Sequence, residues 1–154
     1  KLADQRPDQR REWTMSGGYR QFFLNANAAL HADYRYFDDD WGVRSHTLDL
    51  AWHQNLGATT QLIPYLRYYT QGEADFFSNQ VDFGSRYYAD DYRLSSFGAI
   101  TLGLSLRKEL GNWALSVAGE RYQTDESWGL YSGEESPGLV DYWRYTFGLD
   151  YKFR

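Results

Sequence analysis

The stretch LVDYWRYTFGLDYKFR, residues Leu139 to Arg154, alternates with a period of two. Leu139, Trp143, Tyr145, Phe147, Leu149, Tyr151 and Phe153 fall on one side, interrupted by Asp141, while Arg144, Thr146, Gly148, Asp150 and Lys152 fall on the other. Successive side chains of a strand point to opposite faces, so strict alternation marks a strand whose two faces meet different surroundings. A strand of a soluble sandwich also alternates, but it rarely carries bulky aromatics toward both ends of one face. An apolar band bounded by aromatic residues at both ends, with polar residues opposite, is the pattern of a transmembrane β-barrel strand.

Composition is consistent with that reading and removes several others. The 154 residues suit one domain. The chain holds 14 Tyr, 9 Phe and 6 Trp, far too many aromatics for a disordered segment. Mean hydropathy is −0.70, and no run approaches the ~18 apolar residues of a transmembrane helix. A barrel strand needs only alternate apolar residues, so low mean hydropathy does not count against it. With no cysteine there is no disulfide, thiolate metal site or covalent c-type haem attachment. A net charge of −5 argues against a nucleic-acid partner, which calls for a basic face. The absence of a leader at Lys1 is uninformative, because secreted proteins lose it.

Taken from the start, residues 1–11 read as a charged extracellular loop. Strands are expected over Glu12–Phe23, Ala28–Phe37, His46–Asn55, Gln61–Gln71, Leu94–Arg107 and Trp113–Gln123, before the final one. Short periplasmic turns fall near 24–27, 55–60 and 108–112, and long extracellular loops near 38–45, 72–93 and 124–138. The side expected to face lipid carries Leu30 and Tyr34, then Leu48, Leu50 and Trp52, then Leu66. It continues with Leu102 and Leu104, Leu115 and Val117, and closes on Trp143, Tyr145, Phe147, Leu149, Tyr151 and Phe153. The expected fold is therefore an all-β, antiparallel, up-and-down transmembrane β-barrel in the bacterial outer membrane, a single segment over 1–154 contributing about seven strands. A single-chain bacterial barrel has an even strand number. An odd count, with the C-terminus in the periplasm and residues 1–11 outside, leads to the expectation of a segment of a larger barrel.

Cross-strand matching gives an expected register. Hinging the second and third strands about the DDDW loop sets Arg35 against Asp49, His31 against His53, Ala32 against Trp52 and Tyr34 against Leu50. Hinging the third and fourth about LGATT sets Asp49 against Arg67 and Leu50 against Leu66. Arg35, Asp49 and Arg67 then make an Arg–Asp–Arg ladder on the lumen side, and Glu120 meets Arg144 there too. An arginine facing lipid at mid-depth costs about 2–4 kcal/mol, which directs these groups inward.

The segments RPDQRREWTMSGGYRQFF (6–23), HADYRYFDDDWGVRSHTLDLAW (31–52), PYLRYYTQGEADFF (64–77) and DYRLSSFGAITLGL (91–104) resemble the C-terminal half of an uncharacterised family of Gram-negative outer-membrane β-barrel proteins, the domain of unknown function 3570. The resemblance covers nearly the whole chain. It implies a longer barrel whose N-terminal strands are absent here, and no established activity or catalytic residue. The terminal aromatic strand also resembles the signal by which such barrels reach the barrel-assembly machinery, with Arg154 following the usual last Phe.

Candidate chemistry is sparse. His31 and His53 are expected to meet in the lumen, but two imidazoles without a clear third ligand read as lumen-lining groups, so neither metal nor cofactor is expected. His46 beside Asp38, Asp39 and Asp40 resembles an Asp/His pair at a hydrolase rim, yet no nucleophile accompanies it. The ladder can fix register or tune ion selectivity in a pore. The loop aromatics Tyr87, Tyr88, Tyr92, Trp128 and Tyr131 can bind a partner or a glycan, or fold back to plug the lumen. The expected role is a non-enzymatic pore wall or scaffold, contacting outer-membrane lipid, lipopolysaccharide, the assembly machinery and other protein subunits. The alternatives are a rim enzyme using His46 and Asp39, and a soluble lipocalin-like barrel with its apolar face inside.

Overall fold

The computed structural model describes residues 6–78, 86–134 and 136–153. Seven antiparallel strands form one sheet in sequence order: β1 (Glu12–Phe23), β2 (Ala28–Asp39), β3 (Arg44–Asn55), β4 (Thr60–Gln71), β5 (Phe97–Leu110), β6 (Trp113–Asp125) and β7 (Tyr142–Tyr151). The sheet is not closed: β1 and β7 each have a neighbour on one side only. Period-two sequences thus become strands where expected, and up-and-down order follows from three tight reversals at one end. Of these, Leu24–Ala26 is a single 3-10 turn ended by Asn27 at φ 47°, and Gly111 at φ 62° leads the two-residue turn between Leu110 and Trp113. Between β3 and β4, the Leu56 amide donates to the Thr60 carbonyl at 2.8 Å.

Three expectations about the opposite end are corrected. The segment 38–45 is no long loop, because β2 runs on to Asp39 and β3 starts at Arg44. The buried Asp39 carboxylate closes a tight turn by accepting the Trp41 and Val43 amides at 3.0 and 2.9 Å. β5 begins at Phe97 rather than Leu94, since Tyr92–Leu94 coils into a 3-10 turn in which the Arg93 amide is capped by the Asp91 side chain. β7 begins at Tyr142 rather than Leu139, because Asp141 turns its carboxylate to the Thr124 amide at 2.9 Å. That amide holds the Asp141 carboxyl below its ordinary range. The middle of the expected 72–93 loop, residues 79–85, lies outside the described residues, as do residues 1–5 of the expected 1–11 loop and Arg154.

Register follows expectation between β3 and β4, where Asp49 pairs with Arg67 and Leu50 with Leu66. Between β2 and β3 it is displaced by two residues: Arg35 lies opposite Thr47, Asp33 opposite Asp49, His31 opposite Ala51, Ala32 opposite Leu50 and Tyr34 opposite Leu48. A one-residue slip moves every side chain to the other face, but a two-residue slip leaves the faces unchanged. Alternation alone therefore does not separate these two registers. The Asp39-capped turn does, by placing the hinge at Asp40–Val43.

Over much of the sheet apolar meets apolar, although Leu102 faces Arg121 and Leu115 faces Lys108. Leu30 pairs with Trp52, Leu66 with Leu102, Leu106 with Val117, and Leu115 with Leu149. Buried apolar side chains are concentrated not on this sheet face but at the long-loop end, where Val43, Ala74, Phe77, Ala89 and Leu94 pack with Phe37, Trp41 and Phe76.

The two long loops cover opposite faces of that end. The segment after β4 lies on the polar face, where the Gln71 side chain donates to the carbonyls of Arg93 (2.9 Å) and Ser95 (2.6 Å). The segment after β6 lies on the apolar face: Tyr68 donates to the Trp128 carbonyl at 2.6 Å, and the Leu130 amide donates to the buried Thr70 hydroxyl at 2.9 Å.

Candidate functional site: the polar face and its arginine-lined cavity

The sheet face opposite the leucines is lined with ion pairs. Arg20 on β1 donates to both oxygens of Asp33 on β2, at 2.9 and 2.7 Å. Arg67 on β4 does the same to Asp49 on β3, at 2.5 and 3.3 Å. Arg144 on β7 meets the largely buried Glu120 on β6 at 2.5 Å, and Arg107 on β5 meets Asp150 at 2.8 Å. The pairs Asp49–Arg67 and Glu120–Arg144 join residues that alternation had set facing each other. The third ladder member, Arg35, is corrected: the two-residue displacement puts Thr47 opposite it and hands the Asp33–Asp49 level to Arg20 and Arg67. Arg20 carried no signal of this role, because its partner depended on a register that alternation left open.

His31 and His53 share this face but pair diagonally rather than directly, with ring centroids 4.0 Å apart. No cluster of three or more His, Asp or Glu side chains suited to a metal ion occurs among the described residues. His46 lies on the other face. Its Nδ1 meets the Tyr34 hydroxyl at 2.6 Å and its Nε2 the Tyr131 hydroxyl at 2.8 Å, with the Tyr131 ring stacked on it. Asp39 points to the polar face, toward Arg10. The expected His46–Asp39 pair is therefore not formed, because an odd-numbered residue of β2 and an even-numbered residue of β3 project to opposite sides in this register.

Above the ion pairs, at the long-loop end, the polar face opens into a cavity of about 410 Å³. Strand residues Arg35, Thr47 and Tyr69 form its floor, and Arg6, Arg10 and Arg93 bring three more guanidinium groups to it. Arg10 donates to Asp39 at 2.7 Å and lies over the Trp41 ring, 4.7 Å from its centroid. Asp91 accepts from the Arg93 side chain at 2.9 and 2.6 Å, from its backbone amide at 3.0 Å, and from Arg6 at 3.0 Å. The Arg93 hydrogen bonds hold the Asp91 carboxyl well below the usual carboxylate range, and Asp91 in turn raises the Arg93 guanidinium. These contacts join segments 85 residues apart, which no local pattern announces.

The residues expected on the apolar side are together on the face opposite. Leu30, Tyr34, Leu48, Leu50, Trp52 and Leu66 occupy β2 to β4, and Leu102, Leu104, Leu115 and Val117 occupy β5 and β6. Trp143, Tyr145, Phe147, Leu149 and Tyr151 occupy β7, with Phe153 just beyond it. Leu102 is 59% exposed, Leu104 50% and Phe147 80%.

Compared with known protein families, residues 1–144 match the one described as "Protein of unknown function (DUF3570)". No match is found among curated proteins or among solved structures.

Proposed function

The chain belongs to the DUF3570 family of proteins of unknown function, and from that premise we propose that its sheet is part of the wall of a bacterial outer-membrane β-barrel. The apolar face meets lipid and the polar face lines a water-filled lumen. The barrel serves as a pore wall or as a scaffold for partner subunits. One observation carries this reading: Leu102, Leu104, Trp143, Tyr145, Phe147 and Leu149, on two strands, are each at least half exposed on one sheet face. Soluble monomers rarely expose a contiguous apolar patch beyond a few hundred Å². Hydrocarbon around the same surface turns that cost into a gain of about 25 cal/mol per Å².

Supporting details agree with it. Trp13, Tyr36 and Trp143 lie toward the long-loop end of the apolar face, and Trp52, Trp113 and Tyr151 toward the short-turn end, as aromatic girdles do. Arg121 interrupts the apolar face near the long loops, where it lies 5.5 Å over the Trp143 ring and reaches Asp141 at 3.3 Å. A long cationic side chain lifts its head into an interface in this manner. The unpaired edges of β1 and β7 leave backbone groups that hydrocarbon does not tolerate, so further strands close the wall. Lipopolysaccharide then surrounds the long-loop end, and β7 is the strand offered to the assembly machinery.

Because the chain has no cysteine, single introduced thiols report on orientation. In isolated outer membranes, Ser105→Cys and Ser116→Cys should react with a membrane-impermeant maleimide. Leu104→Cys and Val117→Cys should react only after detergent is added. Labelling of Leu104→Cys in a detergent-free soluble fraction, with Ser105→Cys unaltered in reactivity, would sink the membrane reading in favour of a lipocalin-like barrel.

A further inference from the structure

Seven arginines lie in the strands, and six have a carboxylate partner: Arg20, Arg44, Arg67, Arg107, Arg121 and Arg144. Arg35 has none among the described residues. Its cross-strand neighbours are Ser16 and Thr47, so its own row offers hydroxyls and no acid. It opens instead onto the cavity that Arg6, Arg10 and Arg93 also line. The carboxylate of that lining, Asp91, is already engaged, and so is Asp39, which Arg10 reaches from the lining. Asp39 accepts from Arg10 and two backbone amides, and Asp91 from Arg93 and Arg6.

Among the residues that line the cavity, four guanidinium groups stand against one committed carboxylate, and Arg35 keeps an unused planar fork of donors. That fork matches the geometry of an oxyanion, and a guanidinium is weakly hydrated compared with an ammonium, so it gives up water for such a partner readily. The low-dielectric walls of Phe37, Trp41 and Leu94 concentrate the field inside.

We propose that this cavity binds the phosphate or carboxylate group of a small soluble molecule, with Arg35 as the principal contact and the Thr47 hydroxyl beside it. The site's chemistry stands apart from the membrane reading; only the side from which the anion arrives rests on it.

Isothermal titration of the full chain in uncharged detergent micelles, with inorganic phosphate and with acetate as probes, tests the proposal. Arg35→Gln breaks no ion pair, so the fold should persist while affinity falls by roughly tenfold or more. Thr47→Asp supplies Arg35 with an internal carboxylate and should remove binding in the same way. Arg107→Gln, outside the cavity, should bind like the parent chain. The proposal is overturned if neither probe binds the parent chain, or if Arg35→Gln binds as tightly. It is also overturned if anionic-lipid vesicles bind and free phosphate does not. Each of these results can occur whatever the cysteine-labelling pattern, so the two proposals fail separately.

Discussion

The two faces of this sheet are made by the same seven strands and obey opposite rules. On the apolar face, large side chains are left exposed and lean on one another across strands, with little covering them away from the long-loop end. On the polar face, strand charges other than Arg35 are neutralised in pairs, and the Glu120 side chain is among the most buried of them. The contrast teaches that neither face resembles a protein core. One leaves large apolar side chains exposed, the other holds charge at fixed positions. What breaks each face differs accordingly.

The largest effect should come from charging the apolar face. Leu104→Arg is expected to cost about 2–4 kcal/mol in lipid, read from urea unfolding in vesicles, whereas the adjacent Ser105→Arg should cost little. Equal effects at both positions would erase the distinction between the faces.

On the polar face, the buried member of a pair should matter most. The Glu120 side chain is 9% exposed and that of Arg144 61%. Glu120→Gln should therefore cost about 1–3 kcal/mol, and the Glu120→Gln, Arg144→Gln double variant less than the sum of the singles.

The cavity should respond to acid. Because the folded Asp91 carboxyl titrates below its ordinary value, its stabilisation is complete above about pH 4 and is lost as pH falls through the folded value. The Ala74 amide, which donates to the Leu94 carbonyl at 2.9 Å, and the Leu94 amide, which donates to the Asp91 carbonyl, report on it. Their hydrogen exchange should quicken below about pH 4, after correction for intrinsic rates. In Asp91→Asn it should already be quick at neutral pH. Exchange unchanged by acid in the parent chain would show that the two arginines do not hold this segment.

The smallest effect should be at the exposed pairs. Arg67 and Asp49 are 56% and 36% exposed, so Arg67→Gln should shift unfolding by no more than about 1 kcal/mol. A loss as large as that of Glu120→Gln would mean that the whole polar face acts as one network.

Strand positions, their antiparallel order and the membership of each face were legible because alternation is a local property, repeated in all seven strands. The pair Asp49–Arg67 was legible too, since the short connection between β3 and β4 sets its register, and Glu120 and Arg144 were legible as opposite charges on one face. Arg35 was misassigned for a definite reason: a two-residue slip preserves alternation, so Arg35 opposite Asp49 and Arg35 opposite Thr47 satisfied the same sequence rule. The Asp39-capped turn decided between them. His46 and Asp39 looked like neighbours because seven residues separate them, but strand parity sends them to opposite faces.

Composition and period two, then, suffice by themselves to determine a two-faced antiparallel sheet, because each residue's side is set by its neighbours along the chain. The tertiary structure alone decided that Asp33 pairs with Arg20 and that the Arg35 guanidinium is left over. Those outcomes depend on turn geometry and on loops that bring Arg6, Arg10, Asp91 and Arg93 to one cavity, contacts made across as many as 85 residues of sequence.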